Sequence, residues 1–331
     1  MVWTNLHAKI HRTIRSRHLF QQNQKLLVAV SGGQDSLCLI KLLLDLQRKW
    51  GWNVSIAHCD HRWRADSEAN ANHVEQLAKS WGVSFYLETA TQLLNSEAAA
   101  RNWRYQALSA IAQKNNYHHI VTGHTASDRA ETLLYNLMRG TGADGLQALT
   151  WQRPLTQDIL LVRPLLEITR PETAQFCREF NLPVWEDSTN QDVKYARNRI
   201  RQELIPYLQI NFNPQVESAL AKTAELLQAE VEYLEAAAHK LREEAMEEGI
   251  GCRENGFAFR LNRRVLQPAP LALQRRVMRQ ILQQTLADAP SFEHIEKLTA
   301  LITAPNRSQT DPFPGGAIAQ VQGDWLCWKQ P

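Results

Sequence analysis

The chain lacks most of the signatures that settle a protein's class at a glance. Its five cysteines, Cys38, Cys59, Cys177, Cys252 and Cys327, are odd in number and scattered, and no CxxC pair occurs. That excludes a disulfide framework and gives no support to a structural zinc or iron–sulfur site. No apolar run approaches the ~18–20 residues that a membrane-crossing helix needs. The first residues have no apolar core of the secretory kind. Charge of one sign is also missing, since a net +3 over 331 residues is too mild to argue for a nucleic-acid partner by itself. There is no GxxxxGK[ST] loop, no HExxH, no internal repeat and no low-complexity tail, which removes the Walker-type and zinc-hydrolase readings.

What remains is an ordinary globular composition, 44% hydrophobic and 21% charged, able to bury two cores. Lys9, Arg12, Arg15 and Arg17 precede any acid, as in an organelle transit segment, but Trp3, Leu6, Ile10 and Ile14 recur at helical spacing and predict a packed helix. The cytoplasm is the expected compartment. Residues 26–30 form an unalternating apolar run, as in a strand buried on both faces. Strands are expected at 53–58, 83–88, 119–122 and 159–162. Helices are expected after Ser36 and at 66–81, 97–115, 126–139, from Thr169-Arg170-Pro171-Glu172, and at 196–208. Alternation of this kind predicts a doubly wound parallel α/β sheet. Beyond Asn211-Phe212-Asn213-Pro214 the pattern becomes a long helix over 215–248, with a strand or two at 317–328. The expected division is a catalytic domain over 1–210 and a smaller, mainly helical domain over 211–331.

Three segments carry chemistry. Ser31-Gly32-Gly33-Gln34-Asp35-Ser36 lies between a strand and a helix. Two glycines let the backbone approach a ligand, successive N–H groups with the helix N-terminus make an anion site, and Asp35 is the candidate for a phosphate-bound Mg²⁺. A plain strand–helix turn could carry the same residue types. Gly123-His124-Thr125-Ala126-Ser127-Asp128-Arg129-Ala130-Glu131 follows another strand. If its helix begins at once, His124, Asp128 and Glu131 share one face, offering a base and two carboxylates for an amine, a metal or proton transfer. Residues 194–201 hold Lys194, Arg197, Arg199 and Arg201 with Tyr195 and Asn198 interleaved, the residue types that clamp phosphates and stack on bases. His58, at the carboxyl end of the second strand, is a candidate nucleotide contact. Arg101 and Arg104 lie one helical turn apart beside Tyr105, as a solvated helix face also would.

The loop at 31–36 resembles the SGGxDS signature of the PP-loop ATP-pyrophosphatases. The segment GHTASDRAET, residues 137–146, Arg163-Pro164-Leu165-Leu166 and the pair EDSTN (186–190) with RNRIR (197–201) resemble tRNA(Ile)-lysidine synthetases in compact form, over roughly residues 25–210. That resemblance implies an ATP-dependent ligase that joins the ε-amine of L-lysine to C2 of the wobble cytidine of CAU-anticodon tRNA(Ile), through an adenylated base, with release of pyrophosphate and AMP. It implies ATP contacts at Ser31, Gly32, Gly33, Gln34, Asp35, Ser36 and His58. Catalytic roles are implied for Asp35, Arg104, His124 and Asp128, with Asp128 near lysine and Mg²⁺ at Asp35. RNA contacts are implied at Lys194, Tyr195, Arg197, Asn198, Arg199 and Arg201. A membrane is not expected among the partners, and a second copy of the chain is allowed. The competing reading is another PP-loop tRNA enzyme, such as a cytidine thiolase, which would use cysteines near the site.

Overall fold

The computed structural model describes residues 3–63, 66–92, 96–185, 194–247 and 257–329. The chain divides into two compact units, residues 1–228 and 229–331. The division falls inside a long helix, whereas the change of pattern along the sequence places it near 210.

The first unit opens with α1 (Asn5–Ser16), followed by β1 (Lys25–Ala29), α2 (Gln34–Trp50), β2 (Asn53–Asp60), α3 (Ser67–Trp81) and β3 (Phe85–Thr89). Next come α4 (Glu97–Lys114), β4 (His119–Thr122), α5 (Ala126–Met138), the single turn α6 (Ala143–Leu146), β5 (Gln152–Pro154), β6 (Leu160–Val162) and α7 (Arg170–Glu179). A bent helical stretch closes it: α8 (Ala196–Arg199), a π-helical turn at Ile200–Leu204 and α9 (Ile205–Asn211). Pro206, with no N–H to give the helix ladder, accounts for the irregular turn within a segment that periodicity reads as one helix. Helix α10 (Val216–Ala245) follows.

The sheet order is β3-β2-β1-β4-β6-β5, parallel except for β5, which pairs antiparallel with β6. The expectation of a doubly wound parallel sheet holds. Leu26, Leu27 and Val28 of β1 are buried on both sides, which is why their stretch of sequence shows no alternation. Strand β5, three residues long and ending in proline, carries too little periodicity to be read from sequence. Helix α1 packs as helical spacing predicts, with Ile10 and Ile14 fully buried and His7 beside Asp45.

Strand order reverses between β1 and β4. Helix α2 follows β1 on one side of that switch and α5 follows β4 on the other, so the two connecting loops, 30–33 and 123–125, open side by side at the carboxyl edge. A crevice at this place is where open α/β sheets bind ligands.

The second unit contains the end of α10 and a four-stranded antiparallel sheet. Its strands are β7 (Met246–Glu247), β8 (Phe259–Asn262), β9 (Ile318–Gln322) and β10 (Trp325–Lys329), in the order β7-β8-β10-β9. Helices α11 (Arg263–Leu266), α12 (Leu271–Thr285) and α13 (Phe292–Ala300) accompany it. Its core gathers Leu261, Met278, Ile281, Leu298, Val321 and Trp328. The sequence pattern predicts strands here only at 317–328. Strand β8 escapes it because its alternation, Phe259 and Leu261 inward, runs over only four residues, too few to stand out as a period.

Within the first unit, the start of α10 is held by one buried arginine. Arg129 of α5 is 1% exposed. Its Nε donates to the Leu149 carbonyl at 2.8 Å, Nη1 to Glu225 at 2.7 Å and Nη2 to Gln228 at 3.1 Å. Trp151 Nε1 and Arg17 also donate to Glu225. Burial would raise the Glu225 carboxyl, but the hydrogen bond and charge of Arg129, with Trp151 and Arg17, hold it below the usual glutamate range. A depressed carboxylate contributes stability above its unfolded value and loses it as pH falls through its folded value. Glu225→Ala should therefore lower unfolding stability by roughly 3 kcal/mol at pH 7, because Arg129 stays buried without its partner. The deficit against wild type should shrink in acid, as followed by denaturant titration at several pH values.

Candidate functional site

The loop after β1 is shaped by contacts that only its residue types permit. Gly32 has φ +89°, in the left-handed region, and a Cβ there would come 2.5 Å from Asn70 Oδ1. Asn70 Nδ2 donates to the Ser31 carbonyl at 3.0 Å, and the Trp185 N–H to the Gly32 carbonyl at 2.9 Å. The Ser36 hydroxyl folds back, donating to the Gly33 carbonyl at 2.9 Å and accepting the Ser31 N–H at 3.2 Å. No side chain caps α2, whose N-cap is Gly33. Its first-turn N–H groups and positive dipole end are therefore offered to an anion. Across the switch, a Cβ on Gly123 would come 2.9 Å from the Asp35 carbonyl oxygen, so glycine lets the two loops close on each other.

Helix α5 does not begin immediately after its strand, so His124, Asp128 and Glu131 do not form the single helix face that their spacing suggested. Thr125 is the N-cap, and Asp128 at the third position completes a capping box, its Oδ2 accepting both the Thr125 N–H and hydroxyl at 2.8 Å. His124 stands ahead of the helix with Nδ1 2.9 Å from the Thr122 hydroxyl. Burial lowers its pKa and the arginines Arg163, Arg104 and Arg101 add to that, against the opposing pull of Asp128, so the ring is neutral at pH 7.

One residue that the sequence marks only as a helix opener holds the site together. Arg170, at the start of α7, donates Nη2 to Asp128 Oδ1 at 2.7 Å, Nε to Asp35 Oδ2 at 3.1 Å and Nη1 to Glu131 Oε1 at 3.3 Å. Arg201 reaches the same Glu131 from the π-helical turn, at 2.7 and 2.9 Å. Three carboxylates thus face two guanidiniums, leaving one negative charge uncompensated. Burial raises the Asp35 pKa, opposed by Arg170 and reinforced by Asp128; for Asp128 itself burial also raises it, but its surroundings, Arg170 foremost and with the Thr125 hydrogen bonds, lower it overall. The Thr169-x-x-Glu172 capping box fixes where α7 starts, and so where Arg170 points. That box is visible in the sequence; the carboxylates it aims at are not.

The remaining expected residues fall in three groups. Gln34 turns its amide to the Arg170 carbonyl at 3.1 Å and to Thr173 at 3.2 Å, tying the loop to α7. His58 is buried, with Nδ1 2.7 Å from the Val30 carbonyl, and so supports the strand end from which the loop leaves. Arg104 is exposed on α4, near enough for its charge to bear on His124 and Cys59. Of the basic segment, Tyr195 is exposed, Asn198 is buried, Arg197 lies 3.7 Å from Glu97, and Lys194 and Arg199 are exposed. Arg201 was expected to face RNA and instead faces Glu131, since the bent helix turns it toward α5. The EDSTN motif at 186–190 lies outside the described residues.

A magnesium ion at Asp35 finds little room to be held by protein. Asp35 Oδ1 accepts the Thr173 hydroxyl and Oδ2 accepts Arg170, and among the described residues no group of three or more His, Cys, Asp or Glu side chains could hold a metal ion. The residues do not fit a resident metal site.

Known proteins resemble the chain in both of its units. A PP-loop domain model matches residues 3–208, and a TilS substrate binding domain model matches residues 261–326. A Nostoc protein named tRNA(Ile)-lysidine synthase is 79% identical over 99% of this chain and 98% of its own length. A Synechocystis protein of the same name is 50% identical over 98% of each chain. Among solved structures, the U34-tRNA thiolase NcsA of Methanococcus maripaludis, bearing an iron–sulfur cluster, superposes with a TM-score of 0.58 at 16% identity, covering 67% of this chain and 77% of that one. That likeness speaks to the fold alone. With one family model on each compact unit and such identity across its whole length, the chain belongs to the tRNA(Ile)-lysidine synthase family.

Proposed function

We propose that the chain is an ATP-dependent ligase that joins the ε-amine of L-lysine to C2 of the wobble cytidine of CAU-anticodon tRNA(Ile), in the cytoplasm. One observation carries the reading: an uncapped helix N-terminus in a glycine loop faces a carboxylate cluster with a net negative charge across the sheet's switch point. The first half takes an anion and the second takes a cation, as ATP and a lysine ammonium require.

In the first step the C2 oxygen of cytosine attacks the α-phosphorus of ATP and pyrophosphate leaves. The N–H groups of Gly33 to Ser36 and the Ser31 hydroxyl hold the departing pyrophosphate, and Arg104 adds charge from α4. Preorganised donors of this sort are worth ~3–4 kcal/mol each. In the second step the ε-amine attacks C2 and AMP leaves with the oxygen. An ammonium cannot attack, so it sheds a proton first. Asp128, anchored by its cap and by Arg170, binds the ammonium and orients the amine beside the neutral His124. Lys194, Tyr195, Arg197 and Arg199 meet the RNA, and the buried Asn198 supports them from within. Arg201 instead sets Glu131, and Gln34 and His58 act by holding the loop.

A sulfur-inserting reaction needs a reactive thiol. Burial pushes the Cys59 and Cys177 thiols up to about 12, and Cys38 is raised further by the same cause. That disfavours the thiolase alternative among the described cysteines.

Incubation of the purified chain with lysine, ATP and the tRNA should add the mass of lysine less water to the wobble cytidine, with one AMP and one pyrophosphate formed per event; an unmodified base would sink the reading. Asp128→Asn keeps the cap acceptor and should slow lysine transfer ~100- to 1000-fold while leaving adenylation of the base closer to wild type.

Arg170→Gln removes the positive charge that opposes burial at Asp35 and Asp128, so each of these two becomes easier to protonate. Its rate should fall away on the acid side at a higher pH than wild type does, while Arg170→Lys should restore most of that limb. Identical acid limbs in all three proteins would show that Arg170 does not set the ionisation of the site.

A further inference from the structure

Arginines drawn together in this chain gather around a carboxylate in three places: Arg17 and Arg129 at Glu225, Arg170 and Arg201 at Glu131, and Arg276 and Arg279 at Glu235. In a fourth place they gather around a tyrosine. Arg101 of α4 lies 5.8 Å from the centre of the Tyr105 ring, Arg153 of the edge strand β5 lies 5.1 Å from it, and the charge of the buried Arg163 bears on the phenol. The ring and the two outer arginines line a surface groove with Ala98, Asn102 and Gln106, and no acid lines it among the described residues. Neither Arg101 nor Arg153 forms an ion pair among the described residues.

Like charges brought together without a counter-charge repel, and a shared aromatic face offsets only part of that. The cost is removed when an anion enters. The groove's other polar lining, an asparagine and a glutamine, donates hydrogen bonds as phosphate oxygens require. The same field is felt at the phenol, where burial alone would raise the pKa of Tyr105 but Arg163, Arg101 and Arg104 hold it below the ordinary value. It extends to His124, whose ring is disfavoured as a cation by the same three arginines. The groove therefore adjoins the reacting end of the sheet rather than a remote face.

We infer that the groove formed by Arg101, Asn102, Tyr105, Gln106 and Arg153 takes a backbone phosphate of the substrate RNA, close to the nucleotide being modified. This rests on the proposed RNA modification and adds to it a contact in the first unit, separate from the 194–201 segment and from the substrate-binding domain at 261–326. Arg153 is exposed, so its replacement leaves the core intact.

The test is steady-state kinetics of the full chain with tRNA, lysine and ATP at several salt concentrations. Arg153→Gln and the double variant Arg101→Gln with Arg153→Gln should raise the KM for tRNA about 3- to 10-fold per arginine at physiological salt. Each should also reduce the slope of log KM against log salt by about one, while Arg153→Lys keeps the slope. The KM values for lysine and ATP, and kcat, should stay at wild type for Arg153→Gln. A tRNA KM and salt slope equal to wild type would overturn the inference. So would a rise confined to the KM for ATP, which would assign the groove to nucleotide phosphate. A wild-type chain that leaves cytidine unmodified defeats the functional reading instead, before any variant is compared.

Discussion

The guanidinium of Arg170 touches Asp35, Asp128 and Glu131, which come from two different helices, and without it those carboxylates could not sit so close while charged. At Asp35 and Asp128 burial favours the neutral acid, and the charge of Arg170 opposes this more strongly than any other neighbour. The desolvated guanidinium is itself held firmly protonated by the same three acids, so the cluster is mutually charged. The loop geometry follows from it. Asp35 is clamped at the first turn of α2, and Asp128 at the first turn of α5, so both helix starts are pinned to α7.

That pinning places two unlike surfaces next to each other. On one side, backbone N–H groups and a helix dipole present fixed positive partial charge that costs no reorganisation when a phosphate arrives. On the other, one excess negative charge waits for a cation. The absent side chain of Gly123 allows the two loops to come within contact distance, and any Cβ there would press on the Asp35 carbonyl. An adenylation followed by an amine attack uses both surfaces in turn.

The arrangement of arginine also separates support from recognition. Arg129, buried against Glu225, Leu149 and Gln228, holds the start of α10 on α5, one residue from Asp128. Arg263 in the second unit is similarly spent on three carbonyls, those of Ile302, Ala304 and Gly323. Arg101 and Arg153, without carboxylate partners among the described residues, lie on α4 and the edge strand β5, where an RNA backbone could reach them.

Local sequence was enough to define the sheet class, the loop at 31–36, its companion segment at 123–131, and the family. Each of these is written in a few neighbouring residues: a strand with no alternation, glycines at a strand end, a cap three residues before an acid. Arg170 as the hub was not legible, because a residue after a capping threonine looks the same whether it faces water or three acids. The inward turn of Arg201, the start of α5 beyond His124 and the burial of His58 were hidden too, since each depends on which helices pack together. The β8 strand and the edge strand β5 were hidden for another reason, since four and three residues are too few to show a period. Packing alone brings Asp35, Asp128, Glu131 and Arg170 within hydrogen-bonding distance, because charge placed by three separate helices has no signature in any one of them.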